Sequence, residues 1–299
     1  MHEVRWERMF IDQLESEFKR HPLVYFAYGL CEPHGPQNAI GLDALKAHGI
    51  CCMAAEQHGG IVAPPDYWHI HELGGYALWS KQSIGEVPRP WLTAVPPWVH
   101  FKNVCYQIRA ADALGFKAAI LLTGHYGPNW QDLKTLTELI QPHCGVRLYS
   151  LPDFECNKPG FDGDGASGDH AGKVETSLLW ALEPDCVDVS RIPPKDTPGE
   201  HYAMGANARE ANRQVGERMA QNEADWLGAR GRELMADYDS LQPTARLRTF
   251  EQVEMFWDAE VRPRLSTFHS MQQAWAYSPV QELPTDSVWA ANWRVPPRS

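Results

Sequence analysis

Nowhere in the 299 residues does an apolar run reach the roughly 18 positions that a membrane-spanning helix requires. The opening stretch MHEVRWERMFIDQLESEFKRHP also lacks the apolar centre of a signal peptide. Both absences lead to the expectation of a cytoplasmic chain with no membrane partner. No C-x-x-C pair occurs among the seven cysteines at 31, 51, 52, 105, 144, 156 and 186. That spacing argues against a cysteine zinc site, and the odd number argues against a disulfide framework. Most of them lie in apolar contexts such as HGICCMAA, and they read as reduced, buried thiols. A basic surplus is missing as well. The formal net charge is −11, which argues against a nucleic-acid partner, whose binders usually show a basic face. Internal repeats and low-complexity tracts are absent.

What the chain does have is 43% hydrophobic residues, enough for a substantial core. Apolar spacing predicts a helix over 1–20, then a buried strand over 23–30 (LVYFAYGL). A helix follows, with Asp43 at its N-cap position and Gly59 and Gly60 closing it. Strands are expected at 60–64, 117–123 and 146–151, and helices at about 98–115, 129–142, 170–183 and 206–229. Residues 152–169 read as a Gly/Asp-rich loop. Arg109 and Asp112 fall on the expected solvated face of the 98–115 helix. The strands are apolar throughout rather than alternating, the pattern of a parallel sheet covered on both faces. The fold class is therefore α/β, a three-layer α/β/α sandwich with a mainly parallel sheet. Residues 1–240 are expected to form the main domain. Residues 241–299, with tryptophans at 257, 275, 289 and 293 and several prolines, are expected to form an extension packed on that domain or on a neighbouring subunit.

Three clusters carry candidate chemistry, and each sits at a strand end or a helix start, where open α/β sheets bind ligands. The first is Glu32-Pro-His34-Gly-Pro, followed by Asp43 nine residues beyond His34. Residues two apart in an extended segment face the same way, so Glu32 and His34 point into one site, and a carboxylate at Asp43 is placed to bridge two metals. Read plainly, the same residues are a loop Glu, a loop His and a helix cap. The second cluster is Gly124-His125-Tyr126-Gly-Pro-Asn129. There Tyr126 and Asn129 are candidates to hold a substrate, or Asn129 simply caps the next helix. The third is Asp169-His170-Ala-Gly-Lys-Val-Glu175-Thr-Ser177, with Asp169 as the expected cap of a helix carrying His170 and Glu175. A semi-buried Glu175 needs a partner, and a metal ion is a good one. A fourth region around Trp68, His69 and His71 reads either as a substrate wall or as an aromatic loop packed on the core.

Taken in order, these clusters resemble the creatininase family (creatinine amidohydrolase and relatives). That family shows an E-x-H-G-P motif, an Asp about nine residues on, a G-H-x-x-N turn and an H-A-G-x-x-E-T-S helix. The resemblance covers roughly residues 22–190. It implies the same three-layer fold and a small-molecule substrate. It also implies two divalent metal ions per subunit, Zn²⁺ first, with Mn²⁺ or Fe²⁺ as options, and often a homohexamer. It carries the metal-ligand positions to Glu32, His34, Asp43 and His125. Creatininase itself places a Glu two residues after the G-H histidine, where this chain has Gly127. Relatives lacking it use the Glu of the E-T-S helix, so the resemblance makes Glu175 the fifth ligand. Relatives commonly carry H-x-x-F-P-G-T where this chain reads His71-Glu-Leu-Gly-Gly-Tyr76, so substrate choice is expected to differ.

The expected activity is hydrolysis of a C–N bond in a small cyclic amide or formamide-like substrate. A metal ion lowers the pKa of bound water to about 7 and so supplies hydroxide at neutral pH. His170, with an ordinary pKa near neutrality, is the expected general acid. An alternative keeps the metals and opens the carbon ring of a keto-cyclitol. A non-catalytic binding protein is the remaining reading, disfavoured because every ligand position is filled.

Overall fold

A strand whose side chains are apolar on both faces needs a cover on both, and that requirement organises this chain. The structure, a computed structural model, describes residues 3–71, 75–127, 129–157, 168–272 and 283–290. Helix α1 (Ile11–Arg20) leads into β1 (Leu23–Tyr28), which is buried at every position. Helix α2 (Leu42–His58) ends at Gly59, whose φ of 89° suits glycine, and β2 (Ile61–Val62) follows. Next come β3 (His69–Ile70), α3 (Gly75–Ser83), β4 (Ala94–Val95) and α4 (Pro97–Leu114). Strand β5 (Ala118–Thr123), α5 (Asn129–Ile140) and β6 (Arg147–Pro152) complete the central layer and its connections. Helices α6 (Lys173–Leu182), α7 (Arg213–Leu241) and α8 (Phe250–Phe256) follow, and short helical turns continue from Trp257 to Met271.

The main sheet has the order β2-β1-β5-β6 and every pairing is parallel. Alternate strand residues enter different cores. Val24, Phe26, Ala119 and Leu121 pack with Val104 and Ile108 of α4 and Leu133 and Leu136 of α5. Tyr25, Ala27, Ile120 and Leu122 pack with Ile50 and Ala54 of α2 and Leu227 of α7. The expected three-layer α/β/α sandwich is thus present. From β1 the chain steps to β2 on one side and later returns to β5 on the other. The carboxyl ends of β1 and β5 therefore flank the reversal point where such sheets form a crevice.

Two glycines let α2 settle onto those ends. A Cβ at Gly29 would lie 2.3 Å from the Ala44 nitrogen, and one at Gly124 would lie 2.2 Å from the Asp43 oxygen. Side chains longer than hydrogen are excluded at both positions.

Several expected boundaries shift. The region around Trp68, His69 and His71, expected as a loop, holds β3, which pairs in parallel with β4. Asp112 is buried rather than solvated, because its carboxylate accepts hydrogen bonds from the Gly145, Val146 and Leu247 nitrogens. Arg109 is half-buried, its guanidinium 4.6 Å from the centre of the Phe250 ring. Val253, Phe256, Trp257, Val261, Leu265 and Phe268 join the core beneath α4 and α5. Trp289 donates from Nε1 to the Gly85 carbonyl at 2.9 Å, seating that segment on α3. Trp275 and Trp293 lie outside the described residues. No described helix is long and apolar enough to cross a membrane.

Candidate metal centre

The loops leaving β1 and β5, the first turn of α2 and the start of α6 converge on one buried cluster. Glu32, His34, Asp43, His125 and Glu175 are all buried, and the structure brings all five together. Asp43 stands at the second position of α2 rather than at its cap, which is Gly41, and its carboxylate turns inward. One oxygen, Oδ1, is 3.1 Å from His34 Nε2, and the other, Oδ2, is 3.2 Å from His125 Nδ1. Glu32 Oε1 lies 2.9 Å from His125 Nδ1, and Oε2 lies 3.0 Å from His71 Nε2. Glu175 Oε2 lies 3.7 Å from His34 Nε2. Candidate ligand atoms within 4.8 Å of one another form the groups Glu32–His71–His125, Glu32–His34–His170 and His34–Asp43–Glu175.

The chemistry of this donor set fits divalent cations. Both oxygens of Glu32, both oxygens of Asp43 and Nε2 of His34 are buried without a partner in hydrogen-bonding geometry. Native structures rarely leave buried polar atoms so, unless an ion completes them. The His34 ring orientation agrees: Nδ1 stands 2.9 Å from the Glu32 carbonyl and donates to it, which leaves Nε2 facing the carboxylates, where it holds a proton or, once that is lost, an ion. Asn38 donates to the His34 carbonyl at 3.0 Å and to Thr176 Oγ1 at 3.0 Å, locking that loop onto α6.

Electrostatics point the same way. Burial opposes charge on His34 and His125, yet Asp43, Glu175 and Glu32 raise the first to about 9, and Glu32 and Asp43 raise the second to about 10. Burial also disfavours ionised Glu32, but the surrounding histidines hold it well below the usual carboxylate range. The cluster draws positive charge, by protons where no metal is bound. Glu175 is pushed up to about 7, by burial above all, against the pull of Lys46 and His34.

A pocket of about 230 Å³ opens on this cluster, lined by His71, Trp79, His125, Tyr126, Asp169, His170 and Glu175 along with Gly127 and Gly168. Several expectations are corrected here. Trp68 is 56% exposed and does not line the pocket; among the described residues, the tryptophan that does is Trp79, on α3. His69 is buried behind the pocket, its ring 4.0 Å from that of His100 and 5.5 Å from that of His125. It buttresses His125 instead of facing substrate. Asn129 is buried as the first residue of α5, outside the lining. His71 does line the pocket, and its approach to Glu32 also makes it a candidate ligand. Tyr126 also lines the pocket.

Helix α6 begins at Lys173, so His170 precedes it rather than riding on it. Asp169 still serves the helix start, accepting from the Val174 and Glu175 nitrogens at 2.8 and 3.1 Å. His170 stacks on His34 at 4.4 Å, with the edge of Trp79 4.8 Å away. Its pKa is not near neutrality. Burial, then the positive field of His34, lower it to about 4. Nε2 stands 3.1 Å from the Pro33 carbonyl and so carries the ring proton, leaving Nδ1 as an acceptor.

Reasoning from sequence missed Lys46, Asp153 and Trp79. Lys46 and Asp153 are fully buried, and Lys46 Nζ lies 3.2 Å from Asp153 Oδ2 and 2.8 Å from Glu175 Oε1. The spacing of Lys46 held a signal: it sits three residues beyond Asp43 and so shares its side of α2.

Several known proteins are similar to this chain. The family model described as creatinine amidohydrolase matches residues 7–236. A creatinine amidohydrolase from Pseudomonas putida is 26% identical over 218 residues, covering 63% of this chain and 80% of that protein. A crystal structure of creatinine amidohydrolase (creatininase) superposes with a TM-score of 0.63 at 22% identity, over 78% of this chain and 99% of the other. A Glu-to-Gln mutant creatininase of Zn-Zn type gives 0.62 at 23% identity, over 78% and 98%. A manganese form of creatininase gives 0.59 at 22% identity, over 77% and 98%.

Proposed function

This chain belongs to the creatininase family of hydrolases, and from that premise we propose that it hydrolyses a C–N bond of a small cyclic amide or formamide-like substrate with two divalent metal ions. The observation that carries the reading is the placement of Asp43, one oxygen toward His34 and the other toward His125. A single carboxylate thereby links two groups of donors. Glu32, His71 and His125 would hold one ion, and His34, Asp43 and Glu175 the other, with Asp43 shared. Zinc or manganese suits such mixed imidazole and carboxylate shells. Bound there, the ions supply a Lewis acid for the substrate carbonyl and acidify water toward neutrality.

The rest is done by the chain's own side chains. His170 begins neutral, with Nδ1 free of the Pro33 contact that occupies Nε2. It takes the proton of the attacking water at Nδ1 and passes it to the leaving nitrogen. Trp79 and Tyr126 form aromatic walls that orient a flat amide ring and exclude water from it. The pocket lies below the range of about 300–1,000 Å³ usual for drug-sized ligands, which favours a small substrate. Aromatic walls also favour a planar amide over a polyhydroxylated ring. Gly127 leaves open the position that creatininase fills with a glutamate, which supports a substrate other than creatinine. The seven free cysteines suit a cytoplasmic setting, and assembly as a hexamer follows the family's habit.

The decisive test is metal analysis of the as-purified protein, followed by a screen of lactams, formamides and keto-cyclitols. Close to two ions per chain and turnover of a lactam or formamide are expected. Full activity in a metal-stripped chain, or turnover confined to keto-cyclitols, would overturn the proposal.

A further inference from the structure

Lys46 is the most costly side chain in the molecule to explain. Its ammonium is fully buried, and burial of an ion costs several kcal/mol unless well-placed partners offset it. The side chain runs beneath the carboxyl end of β5. There a Cβ on Gly124 would come within 3.1 Å of its Cε, so the glycine keeps its path open. At the end of that path Nζ meets Glu175 Oε1 at 2.8 Å and Asp153 Oδ2 at 3.2 Å, and it lies 3.7 Å from the centre of the Tyr126 ring. Three elements thus fix the ammonium from different sides. The other oxygen of Glu175, Oε2, accepts from the Ala171 nitrogen at 2.8 Å and remains the one facing His34.

We propose that Lys46 is a positioning residue for Glu175: its ammonium takes Oε1, so that Glu175 offers Oε2 alone to the ion held with His34 and Asp43. The inference rests on reading the cluster as a two-ion site. It makes Glu175 a one-oxygen ligand of fixed direction. Gly127 contributes no side chain on this side, so the direction of Glu175 decides whether the second ion is held.

The sign of the effect separates this role from simple charge. A buried cation next to a metal site repels the metal, so removing it should tighten binding if charge were all that mattered. Loss of positioning should weaken it. The experiment is zinc titration of the chelator-stripped full-length chain, read as zinc bound per chain and the dissociation constant of each ion. Wild type is expected to take two ions. Lys46→Met and, independently, Lys46→Gln should weaken the second ion by about 10- to 100-fold while the first is unchanged, as for other residues that orient a ligand. In a Glu175→Gln background, Lys46→Met should add no further loss, because the two act as one unit. A second ion bound as tightly or more tightly in both Lys46 variants would overturn the proposal, and so would losses that simply add.

Melting curves of the zinc-free chains report whether the variants fold. If neither does, a zinc-loaded crystal structure of the wild type decides the matter. Oε2-only ligation with Oε1 still on Lys46 supports the role, and two-oxygen ligation with Lys46 displaced rejects it. A wild type that binds no zinc would instead overturn the two-ion reading itself, and Lys46's role with it.

Discussion

The two halves of the metal cluster are held in different ways. On the His34–Asp43–Glu175 side, His34 is oriented by the Glu32 carbonyl, and Glu175 is tied at one oxygen to Lys46 and at the other to the Ala171 nitrogen. On the Glu32–His71–His125 side, neither Glu32 oxygen accepts a hydrogen bond of normal geometry, and its near neighbours are the two imidazoles. One half is built by protein contacts before any ion arrives. On the other, the Glu32 carboxylate faces ring nitrogens, which attract it when they carry protons. Both halves reach the pocket, one through His71 and His125 and the other through Glu175.

Substitutions at the ligands give the largest expected effects. Asp43→Asn touches both halves and should lower bound metal at both positions. Glu32→Gln should release first the ion it would share with His71 and His125. Either should cut turnover by about a thousandfold or more, the scale of losing several kcal/mol of metal-assisted stabilisation. Metal content measured beside activity checks this, and equal loss of both ions in Glu32→Gln would erase the distinction between the halves. Next in size is His170→Asn, which should keep both ions yet slow the reaction by about 10²- to 10⁴-fold, the usual worth of a positioned acid–base group. An unchanged pH–rate profile in that variant would remove His170 from proton transfer.

Smaller effects belong to the wall and to the empty-handed cluster. Trp79→Ala should raise KM by about tenfold, in line with about 1.4 kcal/mol for a lost aromatic contact, while Trp68→Ala changes neither kcat nor KM. Steady-state kinetics on both variants would expose a misassigned wall. Stability of the chelated protein should fall as pH rises. His34 and His125 are raised to about 9 and about 10 in the folded chain, above their ordinary 6.5. Their contribution is therefore whole below about 6.5 and is lost as pH climbs through 9 to 10. Metal ions displace those protons, so the loaded protein should show a flatter profile between pH 7 and 10. Denaturant titrations with and without chelator measure the difference, and parallel profiles would show that these rings do not carry the charge.

The parallel sheet was legible because each long strand is a short apolar run bounded by a helix pattern, and tertiary burial reinforces that signal. The five ligand candidates were legible because they fall just past strand ends, where topology gathers side chains. What escaped was set by contacts between distant residues. Asp43 looks like a helix cap because Asp commonly is one; only the packing of α2 against Gly29 and Gly124 turns it inward. Asp112 looks solvated on its helix face until the nitrogens of Gly145, Val146 and Leu247 arrive to cover it. Lys46 shares the Asp43 side of α2, but nothing nearby in sequence announces the Asp153 and Glu175 that receive it. The β3–α3–β4 segment gives no clear period, its strands being only two residues long, so nothing in the sequence points to Trp79.

Gly29 and Gly124 bear on how such a centre can change. With hydrogen as their side chain, the main chain of α2 rests directly against the main chain at the ends of β1 and β5. The gauge of the centre is therefore set by backbone touching backbone, not by the size of any replaceable group. Residues around the rim are free to drift toward new substrates while the span between the two donor sets stays constant, much as interchangeable tools fit one chuck.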